Sequence, residues 1–214
     1  KLIKNYNGIY ISYGLHPCEI LSESQFSELN FDLHCSNPLV VGVGETGIDL
    51  FHSKNYLKEQ TKCFEMHIAA SIKHNLPLII HQRNSENEII DILKNYLNSN
   101  LKVVFHCFTG SEKLINFCKK NKFYISLSGI VTFNTAENLR ITIKDFPLDF
   151  ILIETDSPFL APVPMRGKSN EPSFIKYTAQ YLANFYNMDF KDFEKITDNN
   201  FFKLFNKTKR YNHL

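Results

Sequence analysis

The sequence predicts an α/β protein built on parallel strands, and two observations carry that prediction. Six short apolar runs recur along the 214 residues, at 9–14, 39–45, 77–81, 102–106, 123–127 and 150–154. Each is rich in β-branched or aromatic residues and is bounded by turn residues, the pattern of a strand buried on both faces. Longer amphipathic stretches separate the runs, so strand and helix alternate, as parallel sheets require.

The helices are justified one by one. After Leu57, the apolar positions Phe64, Ile68 and Ile72 recur at helical spacing. Ser85 and Glu88 have the spacing of a capping box before Ile89, Ile92, Leu93 and Tyr96. Ser111 is placed to cap a helix over 114–118. Phe174, Thr178, Tyr181, Leu182 and Phe185 mark another helix, and Phe193, Ile196, Phe201 and Phe205 mark the last.

Composition narrows the class further. With 43% hydrophobic residues, the chain has material for one sizeable core, and a single domain over 1–214 is the expected organisation. The formal charge of +2 is too small for nucleic-acid binding by charge alone. A polyanionic substrate would need positive charge from elsewhere, such as a metal. Five widely spaced cysteines without a CxxC predict reduced thiols and a cytoplasmic setting. No run of eighteen apolar residues is present, so no membrane association is expected.

The residues that close the apolar runs point to chemistry. Glu45 closes the second run, His81 the third and His106 the fourth. Asp156 follows the sixth, and His16 follows the first. In a parallel barrel all those strand ends face one mouth, where active sites sit. Two imidazoles and two carboxylates, Glu45, His81, His106 and Asp156, match the ligands of a hard or borderline divalent ion. Each alone has a plainer reading: a histidine after a strand is usually structural, and Asp156 has good cap chemistry in Thr155-Asp156-Ser157-Pro158. Four such residues at equivalent places favour the metal, and their side chains are expected to converge.

At these same positions the sequence resembles the TatD family of metal-dependent deoxyribonucleases, a branch of the amidohydrolase-like TIM barrels. The matching stretches are Gly14-Leu15-His16-Pro17, Gly44-Glu45-Thr46-Gly47-Ile48-Asp49, Pro77-Leu78-Ile79-Ile80-His81-Gln82-Arg83 and His106-Cys107-Phe108-Thr109-Gly110. Ser126-Leu127-Ser128-Gly129-Ile130, Glu154-Thr155-Asp156-Ser157-Pro158 and Arg166-Gly167-Lys168-Ser169-Asn170-Glu171-Pro172 follow in family order. Thr46, Ile48 and Ser85 depart mildly from the family pattern.

The resemblance implies a (β/α) barrel of the metal-dependent hydrolase kind and two divalent ions, Mg, Mn or Zn. It implies that Glu45 bridges them, that His81 and His106 bind one, and that Asp156 binds the other and orients the attacking water. Glu45 and Asp156 are thus the expected catalytic residues. His16, Arg83, Arg166 and Asn170 are implied as substrate-binding groups, although Arg166 and Asn170 could equally pin a loop; Asp49 is implied as an outer partner. The implied activity is phosphodiester hydrolysis of DNA, as a 3′-5′ exonuclease on single-stranded ends. Alternatives are hydrolysis of an ester, amide or aminoacyl-tRNA bond, or an inactive truncated remnant. No obligate protein partner is expected.

The family's first strand carries a His-x-His pair, and none occurs here. The run at 9–14 corresponds to the family's third strand, and Lys1 reads as mid-domain. A full barrel needs about 250 residues, so the expectation is about six of eight strands, with the first two βα units lacking. The first and last strands would then have open edges, exposing side chains such as Ile9, Ile11, Ile151 and Ile153.

Overall fold

The structure, a computed structural model, describes residues 6 and 8–209. The opening Lys1 therefore lies outside the described residues. Two compact units divide the chain, Lys1–Val104 with Phe202–Leu214, and Phe105–Phe201.

The first unit carries β1 (Ile11–Tyr13), the short helices α1 (Ser24–Ser27) and α2 (Phe31–Cys35), β2 (Val40–Asp49) and α3 (Leu57–His74). It continues through β3 (Leu78–Arg83) and α4 (Glu86–Lys94) into β4 (Val103–Phe105). The second unit carries α5 (Glu112–Asn121), β5 (Tyr124–Leu127), α6 (Glu137–Ile143), β6 (Ile151–Ile153), α7 (Ile175–Phe185) and most of α8 (Phe190–Leu204). Every apolar run becomes a strand. The six form one sheet in chain order, β1-β2-β3-β4-β5-β6, with parallel pairing at β1/β2, β2/β3 and β5/β6. Strands adjacent in sequence and parallel in space need a crossover, and the amphipathic stretches supply it.

In the first unit α3 packs on β2. Cys63, Phe64 and Ile68 on the helix are fully buried, as are Val43 and Ile48 on β2 and Leu78 and Ile80 on β3. Each large apolar side chain so buried contributes about 1.5–3 kcal/mol. The helix ends at Asn75, whose left-handed backbone (φ 50°) returns its amide to the carbonyls of Ser71 and Ile72.

The structure corrects several expectations. The strand expected to end at Glu45 runs on to Asp49, and His81 lies inside β3 rather than at its end. Ser85 stands at the N-cap of α4 but makes no capping bond; its hydroxyl donates instead to the Ile48 carbonyl at 2.5 Å. A carbonyl of β2 won the competition for that hydroxyl. Tyr96 falls in the turn after α4, its amide bonded to the Leu93 carbonyl. Ile9 and Ile11 are exposed, whereas Ile151 is fully buried and Ile153 is partly buried; α7 packs on β6. Among the described residues no helix is long and apolar enough to cross a membrane.

Candidate metal centre

The first group of ligand-bearing residues is set by a distortion of β2. The register between β2 and β3 shifts between Val43 and Thr46, and the Gly44–Glu45 peptide is cis. Gly44 and Gly47 hold backbone angles of φ +137° and +135°, a region L side chains rarely enter. A Cβ on Gly44 would stand 2.5 Å from the Ile79 carbonyl oxygen, and one on Gly47 would collide with the His81 carbonyl. The glycines thus let β2 bulge tightly against β3 while Glu45, between them, meets His81.

His81 is held at both ring nitrogens. Nδ1 lies 3.1 Å from Glu45 Oε1, and Nε2 lies 3.0 Å from Asp49 Oδ2. Asp49 is completely buried. Its Oδ1 accepts the amides of Phe51 and His52 at 2.9 and 2.7 Å. Burial alone would raise the Asp49 pKa. The His52 amide and ring, then His81 and Cys18, outweigh burial and hold it well below the usual carboxylate range. When the neutral ring donates from Nε2 to ionised Asp49, Nδ1 turns a lone pair toward a second carboxylate, Glu45. Lone pair and carboxylate repel unless a cation lies between them, and a carboxylate behind a histidine is the usual support of a metal-binding imidazole.

His16 joins this group with a different role. Its Nε2 lies 3.6 Å from Glu45 Oε1, and its ring stands edge-on to His81 with centroids 4.5 Å apart. Its Nδ1, however, accepts the Cys18 amide at 3.2 Å. The proton therefore sits on Nε2, making His16 a donor rather than a metal ligand in this arrangement. Burial, then the neighbouring His81, lowers its pKa, so the ring stays neutral near pH 7.

The second unit repeats the motif. His106 Nδ1 lies 2.9 Å from Glu154 Oε2, and Nε2 lies 3.3 Å from Asp156 Oδ1. With Glu154 taking the Nδ1 proton, the Nε2 lone pair faces the Asp156 carboxylate. The other Glu154 oxygen, Oε1, is buried with no hydrogen-bond partner, a second observation that suits a cation. Ligand atoms of His106, Glu154 and Asp156 lie within 4.8 Å of one another, as do those of His16, Glu45 and His81. Backbone strain marks the strand ends here: Cys107 and Asp156 adopt φ values of 44° and 58°, which cost a non-glycine residue about 1 kcal/mol or more.

The remaining expected residues sit apart from these groups in kind. Arg83 is exposed, its guanidinium 4.7 Å over the Phe51 ring. Arg166 is also exposed and stacks 3.7 Å over Phe133. Asn170 is buried, its amide donating to the Thr155 and Phe159 carbonyls at 2.7 and 2.6 Å. That is the loop-pinning role, and it fixes the segment bearing Asp156. Sequence reasoning missed Glu154. Its signals were its place two residues before Asp156, as a carboxylate closing an apolar run, and its place at the head of the Glu154-Thr155-Asp156-Ser157-Pro158 stretch.

Comparisons with known proteins give the family and the fold. The family described as TatD related DNase matches residues 1–206. A Bacillus subtilis protein, the uncharacterized metal-dependent hydrolase YabD, is 37% identical over 205 residues, covering 96% of this chain and 80% of that one. The Escherichia coli metal-dependent hydrolase YcfH is 34% identical over 204 residues, covering 95% and 76%. Among solved structures, the TatD homolog YJJV from Escherichia coli superposes with a TM-score of 0.85 at 26% identity, covering 96% of this chain and 80% of that one. A TatD family hydrolase from Entamoeba histolytica shares the fold, with a TM-score of 0.76 at 22% identity, covering 93% and 75%.

Proposed function

The chain belongs to the TatD-related DNase family of metal-dependent hydrolases, and from that premise we propose that it hydrolyses phosphodiester bonds of DNA, as a 3′-5′ exonuclease on single-stranded ends. One observation supports this reading above the others. Two imidazoles, His81 and His106, each stand between two carboxylates: His81 between Glu45 at 3.1 Å and Asp49 at 3.0 Å, and His106 between Asp156 at 3.3 Å and Glu154 at 2.9 Å.

In this reading Glu45 and His81 hold one divalent ion, and His106 and Asp156 hold another, with Glu154 behind the His106 ring. Nitrogen and oxygen donors of this mixture suit Mg, Mn or Zn. Bound divalent ions supply Lewis acidity at phosphoryl oxygens and bring water ionisation near neutral pH. Asp49 holds His81 in the tautomer that keeps Nδ1 open, and Glu154 does the same for His106 Nε2. Asp156, half-exposed, accepts a hydrogen bond from the attacking water and so orients it. His16 Nε2–H donates to a non-bridging phosphate oxygen, and Arg83 and Arg166 offer guanidinium charge to neighbouring phosphates. Asn170 keeps the Asp156 loop in place. Charge concentrated in ions and a few side chains accounts for a polyanionic substrate on a protein of formal charge +2.

Fold does not fix the substrate, so a substrate panel tests it. Single-stranded DNA labelled at either end is incubated with the protein and Mg or Mn, in parallel with ester, amide and aminoacyl-tRNA substrates. Stepwise loss of the 3′ label supports the reading. Turnover of the other substrates with intact DNA replaces it with a different hydrolase activity.

A further inference from the structure

We propose that Cys18, Asp49 and His52 form an additional cation site, a thiolate, carboxylate and imidazole set that takes Zn2+. Their ligand atoms lie within 4.8 Å of one another. Cys18 Sγ is 3.4 Å from Asp49 Oδ2, and His52 Nδ1 is 3.0 Å from the same oxygen. In a tetrahedral zinc site with bonds of about 2.0–2.3 Å, neighbouring donor atoms stand about 3.3–3.8 Å apart. The two distances to Asp49 Oδ2 lie near that range, and all three donors lie within 4.8 Å of one another. Three protein ligands leave a fourth position for water.

The scaffold beneath these donors is rigid. Asp49 ends β2 and is wholly buried. Its amide donates to Gln60 Oε1 at 2.8 Å, and buried Gln60 in turn donates to the Ser53 carbonyl at 2.7 Å. Oδ1 takes the two amides of the following turn, so the turn is capped without help from Oδ2. The Cys18 thiol and the His52 ring are surplus to that cap. Both also reach solvent: the His52 side chain is 54% exposed and Cys18 is part-exposed. A cation can enter, and the thiol proton it displaces can leave to water.

The donor chemistry selects the ion. A thiolate is a soft ligand that favours zinc over the all-oxygen coordination of Mg2+ or Ca2+. The groups at Glu45–His81 and at His106–Asp156 offer only imidazole and carboxylate, so sulfur distinguishes this site from both. Asp49 Oδ2 is also 3.0 Å from His81 Nε2, which places the zinc next to the imidazole that Asp49 supports.

Cobalt tests the proposal, because a thiolate bound to Co2+ absorbs strongly in the near ultraviolet and imidazole or carboxylate ligands do not. The full chain is titrated with Co2+ and then with Zn2+. The expected result is a sulfur-to-cobalt band saturating at one equivalent and removed by Zn2+. Cys18→Ser abolishes the band, and His52→Ala, at an exposed position the fold tolerates, weakens Co2+ binding at least about tenfold. Cys107→Ser keeps the band, which separates Cys18 from the cysteine beside His106. Absence of the band in the wild type at saturating Co2+ overturns the site. So does its survival in Cys18→Ser, its loss in Cys107→Ser, full-strength binding in His52→Ala, or failure of Zn2+ to remove it. None of these outcomes depends on DNA cleavage.

Discussion

Acidification should unload one buried histidine, and its cost follows from the structure. His67 is fully buried on α3. Its Nδ1 lies 2.7 Å from the Cys63 carbonyl, and its Nε2 accepts the Leu15 amide at 3.0 Å. That second bond tethers the segment carrying His16 to the helix, and it exists only while Nε2 is unprotonated. Burial lowers the His67 pKa from 6.5 to about 4. The folded value lies below the unfolded one, so the unfolded chain binds the proton first as pH falls. The stability contribution is whole above about pH 6.5, shrinks between 6.5 and 4, and is gone below 4. A gap of about 2.5 pH units at about 1.4 kcal/mol per unit gives about 3 kcal/mol. Urea unfolding at steps from pH 7.5 to 4 measures it, in the wild type and in His67→Gln, which stays neutral. The wild type should lose about 3 kcal/mol more than the variant across that window. Parallel pH profiles would refute the reasoning, because carboxylates elsewhere titrate alike in both proteins.

Two substitutions probe the site from different sides. Glu154→Gln keeps the shape at His106 Nδ1 but removes the charge that sets its tautomer, and metal affinity or turnover should fall about 10–100-fold; kinetics over a metal titration reads it. Gly47→Ala forces a Cβ onto the His81 carbonyl at a backbone angle of φ +135°, and should cost at least about 2 kcal/mol in thermal or urea unfolding.

How much of this was legible in the sequence depends on whether the signal was local. The strands were, because their β-branched runs need burial on both faces whatever lies around them. The ligand types were too, since Glu45, His81, His106 and Asp156 close or follow those runs. The pairings were less legible. Glu154 supports His106 across 48 residues, and a carboxylate closing an apolar run does not say which imidazole it will meet. The extension of β2 to Asp49 rests on glycine angles that an alternating pattern does not encode. Ser85 had the spacing of a capping box, yet its hydroxyl went to Ile48, a tertiary partner. The short helices α1, α2 and α6 hold too few turns to print a periodicity. For Asn170 two roles were open, and the structure displays the loop-pinning one.

The central claim is that carboxylate and imidazole pairs in this chain hold divalent ions that hydrolysis requires. The most direct measurement is the rate of single-stranded DNA cleavage across a Mn2+ titration from chelator-treated protein, for the wild type and Asp156→Asn. The account predicts no cleavage without metal, a saturable rise with Mn2+ in the wild type, and a loss of at least about a hundredfold at saturation in the variant, equivalent to about 3 kcal/mol of barrier. Cleavage by the chelator-treated wild type, or a variant as fast as the wild type at saturating Mn2+, would contradict it.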